Sequence, residues 1–159
     1  MPSYWMLVTT LENFKITRKL HFTLQGLKPY HRRKVQRIGP GDQLLFYLMG
    51  IRRFAATATI TSKYFEDNSP VWKEEGSDRL TFRVKIQPKV VLMEEQFIDA
   101  GEIAPRMEYV RRWPPEDWQM AFLGNLHLIP KVDFALIEGE LRRILRRSPS
   151  RAGSHGSRG

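Results

Sequence analysis

From Leu80 to Gln87 the chain alternates without a break. Leu80, Phe82, Val84 and Ile86 are apolar, and Thr81, Arg83, Lys85 and Gln87 are polar. Successive side chains of an extended strand point to opposite faces, so this period of two predicts a strand with one face in a core. Its partners lie upstream. Gln43 to Met49 is a run of large, mostly apolar residues entered through Gly39-Pro40-Gly41-Asp42, a strong turn signal. After a turn at Gly50 to Arg53, Phe54, Ala56, Ala58 and Ile60 alternate with Ala55, Thr57, Thr59 and Thr61. Small residues on both faces of that strand let a backbone or a ligand come close. Residues 4–9 read as a buried first strand, and Pro88 predicts a bulge or a sheet edge.

The remaining pattern is helical or irregular. Leu11 to Leu20 predicts a short helix with Thr10 as its N-cap. His21 to Leu27 reads as irregular, and Pro29 to Ile38 as a basic helix entered through proline. Residues 113–123 read as a loop running into a short helix, with Pro115 at its first position. Lys131 to Arg147 is helical, with Val132, Ala135, Leu136, Leu141, Ile144 and Leu145 expected to share a face. Ser148 to Gly159 holds mostly Ser, Gly, Arg and Pro and reads as a disordered basic tail behind one domain of residues 1–147. Five or six strands with short helices make an α+β architecture, a curved sheet or small barrel.

Charge narrows the partners. The formal net charge is +9, and residues 142–159 hold six arginines and no acid. The rest of the chain carries 20 basic against 17 acidic residues, an excess of only +3. A second cluster, Lys28, Arg32, Arg33, Lys34 and Arg37, has no acid among residues 28–37. Basic surfaces attract polyanions because neutralised phosphates release counterions, so nucleic acid is the expected partner. Arg83 and Lys85, opposite the apolar face of their strand, would extend such a surface. No apolar run approaches the ~18 residues of a membrane span, and the N-terminus begins as a strand, so a cytoplasmic protein is expected.

Enzyme motifs are absent. The histidines are His21, His31, His127 and His155, none in a metal-binding spacing. There is no cysteine, no nucleophile elbow and no phosphate loop. The adjacent pairs Glu74/Glu75 and Glu94/Glu95 point apart in an extended segment. No metal, cofactor or catalytic residue is assigned. Aromatics suggest a different chemistry. Lys63 to Asp78 is rich in turn formers yet holds Tyr64, Phe65 and Trp72, and loops on rigid scaffolds carry function. A nucleobase stacked on an aromatic ring gains about 1–3 kcal/mol.

Taken in order, Tyr4-Trp5-Met6-Leu7-Val8, Pro40-Gly41-Asp42, Ser69-Pro70-Val71 before Trp72, and Arg79 to Ile86 resemble the EVE domain. That family is PUA-like and similar to the YTH readers of methylated adenine. The resemblance implies a PUA-like barrel and a non-enzymatic module that captures a flipped, modified base (methylated or hydroxymethylated cytosine, or methylated adenine) in DNA or RNA. It also implies a partner in a restriction or RNA-modification system. On it, Trp72 matches a pocket wall and Trp5 a lining residue. Gln25 falls about where many EVE domains carry a tryptophan. That departure leaves Phe22 or Tyr30 to complete the cage, or Gln25 to hydrogen-bond a base edge, with Thr57 or Thr59 adding polar contacts. Lys28, Arg32, Arg33, Lys34 and Arg37 would meet phosphates. Trp113 and Trp118 read as packing residues. The alternatives are a small nucleotide-processing enzyme of the related ASCH type, using a buried lysine and a carboxylate, or an RNA-binding protein that uses only its basic surface.

Overall fold

The computed structural model describes residues 1–74 and 79–147. The expected tail, Glu75 and Asp78 lie outside the described residues. In chain order the elements are β1 (Tyr4–Thr9), α1 (Leu11–Lys19), β2 (Leu24–Leu27), α2 (Arg32–Arg37), β3 (Gln43–Leu48), β4 (Arg53–Ile60), β5 (Phe65–Glu66), β6 (Phe82–Val91), β7 (Ile98–Asp99), α3 (Ala100–Ile103), β8 (Leu126–Leu128) and α4 (Lys131–Arg146). Short 3-10 turns link them, the longest at Pro115–Phe122. The main sheet runs β2-β6-β4-β3-β1-β8, with β5 added to β6 and β7 to β4. β1 and β3 are parallel, and the other pairs are antiparallel.

The apolar runs of β1 and β3 lack alternation because both of their faces are covered. Trp5, Leu7, Leu44, Phe46 and Leu48 face a core inside the curl of the sheet, with Phe14, Phe22, Leu27, Phe82 and Val84. Met6, Val8, Leu45 and Tyr47 face a second core, built with Phe54, Trp118, Phe122, Phe134 and Ile137. Burial pushes the Tyr47 phenol up to about 12.

The curl closes through side chains. Asn125 is buried, donates its Nδ2 to the Val8 carbonyl (2.8 Å), and accepts the Lys28 backbone N–H at the end of β2 (3.4 Å). Asp42, in the turn before β3, accepts the Ser3 and Gly39 backbone N–H groups and the Trp5 indole N–H at 3.1 Å.

Several expectations hold. Thr10 caps α1 by accepting the Asn13 N–H. Pro88 marks a bulge. It pairs with Ala58 while Val90 pairs with Thr57, so Lys89 is the extra residue between them. The freed Lys89 ammonium reaches Gln43 (2.7 Å) and the Glu138 carboxylate (3.0 Å). Two expectations fail. Residues 24–27 are a strand, because Leu24 to Leu27 pair with Lys85 to Phe82. The buried face of α4 is Asp133, Phe134, Ile137 and Leu141, and Val132 and Leu145 are exposed. The Asp133 carboxylate sits inward because it accepts the Glu108 and Tyr109 backbone N–H groups. Among the described residues no helix is long and apolar enough to cross a membrane.

Candidate functional site

The site forms where β2, α1 and the segment before β6 meet. Pairing of β2 with β6 sets Gly26 opposite Arg83. The Trp72 ring lies against Gly26 so closely that a Cβ there would stand 2.7 Å from its Cε3 atom. Only glycine fits this approach. The opposite demand is polar. The Trp72 indole N–H donates to the Thr17 hydroxyl (2.9 Å), and that hydroxyl donates to the Gln25 side-chain carbonyl (2.8 Å). Gln25 spends its amide N–H on the Gly26 carbonyl (2.9 Å). Thr17 and Gln25 are both buried, so this chain of bonds leaves the ring's edge in a low dielectric.

One helical turn before Thr17, Asn13 fixes the backbone beside Trp72. Its Oδ1 accepts the Lys73 N–H (2.8 Å), and its Nδ2 donates to the Lys73 carbonyl (2.9 Å). Asn13 and Thr17 are four apart and therefore share a face of α1. That spacing of polar residues beside Phe14 is the sequence signal for these two positions.

Arg83 is corrected from a surface cation to a buried one, 3% exposed. Its guanidinium lies 5.1 Å from the Trp72 ring centroid. It donates to the Leu80 carbonyl, the Ser69 hydroxyl and the Ser69 carbonyl, and pairs with Asp67 at 3.4 Å. Hydrogen bonds from Ser69 hold the Asp67 carboxyl below its ordinary value. Arg83 thus ties the 67–72 segment down onto β6. A cavity of about 90 Å³ opens here, bounded by Ser69, Pro70, Val71, Trp72, Leu80 and Arg83 among others. It is well below the ~300 Å³ at the small end of ligand pockets. Something as large as a nucleobase enters only if the Trp72 ring or its segment moves.

The structure gathers Trp72 and Gln25 of the expected base-binding residues and separates the rest. Trp5 is fully buried in the inner core, its indole satisfied by Asp42. Phe22 packs edge-on against Phe14 and Phe46. Thr57 donates to Glu138 of α4 at 2.7 Å, beneath the helix and not beside Trp72. Tyr30 is 58% exposed on the 3-10 turn Pro29–His31 and lines no cage. These four side chains lie outside the Trp72 cavity for one reason: a strand or turn residue faces where its pairing and packing send it. Among the basic residues, Arg32, Arg33 and Arg37 are exposed. Lys34 donates its ammonium to the Leu126 carbonyl of β8 (2.7 Å), which commits it to the barrel seam. Trp118 packs against Tyr47 and Phe122, as expected, and Trp113 is 39% exposed. Among the described residues no three His, Asp or Glu side chains lie together as a metal site.

The EVE domain family model matches residues 3–126, which covers β1 to β7 and this site. The chain belongs to the EVE domain family. A UPF0310 protein of Pyrococcus abyssi is 24% identical over 149 residues, spanning 87% of this chain and 99% of that protein. This EVE domain shares its fold with the YTH domain of the Zygosaccharomyces rouxii MRB1 protein, solved in complex with N6-methyladenosine RNA. The TM-score is 0.62 at 17% identity, over 88% of this chain and 86% of that one. A protein from Pseudomonas syringae has the same fold, with a TM-score of 0.60 at 14% identity over 87% and 99% of the two chains.

Proposed function

We propose that this EVE domain binds nucleic acid without catalysis and takes up one flipped, modified base against Trp72. The observation that carries the reading is the Trp72 ring itself. It is a large flat apolar ring, 9% exposed, seated on a glycine with a hydrogen-bonded Thr17–Gln25 pair at its edge, and a base stacks on it once the ring or its segment moves. Every base presents a π-face, and stacking on such a ring contributes about 1–3 kcal/mol. Gln25, one residue before Gly26 in β2, would exchange its bond to Thr17 for one to a base edge. Site amides left unpaired by a wrong base are the stronger discriminators. A base modification adds apolar contact, very roughly 0.8 kcal/mol for a methyl group. Arg32, Arg33 and Arg37 supply phosphate contacts beyond the site, within a single module running to residue 147.

The fold shared with a YTH domain solved on N6-methyladenosine RNA supports the same ligand class. The enzyme alternative calls for a buried lysine and a carboxylate in the cavity. The Lys89–Glu138 pair lies under α4 instead, and the ionisable groups lining the Trp72 cavity are Glu74, Arg79 and Arg83.

The test is a titration of the full chain at fixed physiological salt. The ligands are single- and double-stranded oligonucleotides carrying 5-methylcytosine, 5-hydroxymethylcytosine, N6-methyladenine or no modification. Tighter binding of one modified strand, lost in Trp72→Ala, is the expected result. Equal binding of all strands by the wild type and by Trp72→Ala would overturn the reading.

A further inference from the structure

Tyr30 belongs to neither hydrophobic core and is flanked on both sides by its chain neighbours. Pro29 opens its 3-10 turn with a fixed φ, the ring of His31 lies 4.3 Å from its own, centroid to centroid, and the Lys28 ammonium stands 5.8 Å from its centroid. More than half of the residue remains open to solvent. The turn follows directly on β2, the strand that seats Trp72. Tyr30 follows Gly26, the seat of the Trp72 ring, by four residues, which caps their Cα separation at about 14 Å. Arg32, two residues on, is exposed and packs its guanidinium 4.9 Å from the Phe82 ring, on the face of β6 opposite to Arg83.

We infer that Tyr30 is a stacking platform for a nucleotide flanking the captured base. Lys28, Arg32 and Arg33 would draw the phosphates on either side of it. The inference rests on the base-capture reading and adds a second contact to it. A base flipped into the Trp72 site leaves its neighbours unstacked on at least one side. An exposed ring within one or two nucleotides' reach replaces the lost stacking. Residues 28–37 contain no acid to repel the strand. Because any base can stack, the platform adds affinity without reading sequence, and it favours single-stranded over duplex ligand.

The experiment uses the full chain and a fluorescein-labelled nine-nucleotide single strand, once with the modified base selected above at its centre and once unmodified. Tyr30→Ala is expected to weaken both by about 5- to 150-fold. Tyr30→Phe is expected to bind as the wild type does. The ratio of modified to unmodified affinity and the salt dependence are expected to stay unchanged in Tyr30→Ala, since no charge is lost. Undiminished binding by Tyr30→Ala refutes the platform. A collapsed ratio in Tyr30→Ala refutes it as well, by placing Tyr30 in the base site. Trp72→Ala separates the two ideas: it should abolish the ratio and spare the Tyr30 contribution. If Trp72→Ala changes nothing while Tyr30→Ala still weakens binding, the base-capture reading fails and the stacking contact survives alone.

Discussion

Gly26 offers the sharpest test of the site's geometry. A Cβ added there would meet Trp72 Cε3 at 2.7 Å, Trp72 Cζ3 at 2.8 Å and the Leu80 Cβ at 2.8 Å. Carbon atoms rest about 3.5–4.0 Å apart, so the ring or the strand must give by close to 1 Å. Leu80 has no room to help, since its obstructing atom is fixed to the backbone. A displacement of the ring stretches the 2.9 Å bond from its N–H to Thr17, which leaves a buried donor short of its partner. Overpacking of this kind costs about 1–3 kcal/mol. Alanine recovers only about 0.4–1 kcal/mol by restricting the unfolded chain. Gly26→Ala is therefore expected to destabilise the protein by about 1–2 kcal/mol in urea titration and to weaken binding of the modified strand. Gly139→Ala is the matched control. Gly139 sits inside α4 with nothing within 4 Å of its built Cβ, so the same change there should stabilise by about 0.5–1 kcal/mol. Equal stability of Gly26→Ala and the wild type, with unchanged binding, would refute the close seat of Trp72 on β2.

Asn13→Ala removes both side-chain bonds to the Lys73 backbone, so it is expected to cost about 1–3 kcal/mol. Faster amide exchange should appear at residues 67–74, and unchanged exchange there would show that Asn13 does not anchor the segment. His127 predicts an acid-side loss of stability. Burial, aided by the Lys34 ammonium and opposed by the backbone of residues 122–124, lowers its pKa below the ordinary 6.5. The unfolded chain then binds the proton first, so stability falls as pH drops through about 6.5 and levels off below the folded pKa. The slope cannot exceed ~1.4 kcal/mol per pH unit for one proton. Thermal melts from pH 7.5 to 5 should show it, and a His127→Gln variant with the same slope would assign the effect elsewhere.

Most of the scaffold was legible locally. The Leu80–Gln87 alternation, the Gly39–Asp42 turn, the Thr10 cap and the Pro88 bulge are short-range signals, each set by backbone geometry within a few residues. β2 was not legible, because Leu24-Gln25-Gly26-Leu27 has no period of its own and becomes a strand by pairing with β6. The face of α4 was misassigned for a related reason. The sequence marked a face of Val132, Ala135, Leu136, Leu141, Ile144 and Leu145, whereas the face that turned inward carries Asp133, whose carboxylate accepts two backbone N–H groups.

The sequence by itself determined that this chain makes a curved sheet or small barrel, that Trp72 stands in an excursion before its clearest strand, and that a basic segment follows residue 27. Tertiary structure alone decided which aromatics reach the site. Trp5 and Phe22 went to the core and Tyr30 to the surface, while Asn13, Thr17, Gly26 and Arg83, from three separate elements, gathered around Trp72. The physical reason is that a strand's period of two says which residues share a face. Only the pairing of β2 with β6, and the closing of α1 over that edge, says what each face meets.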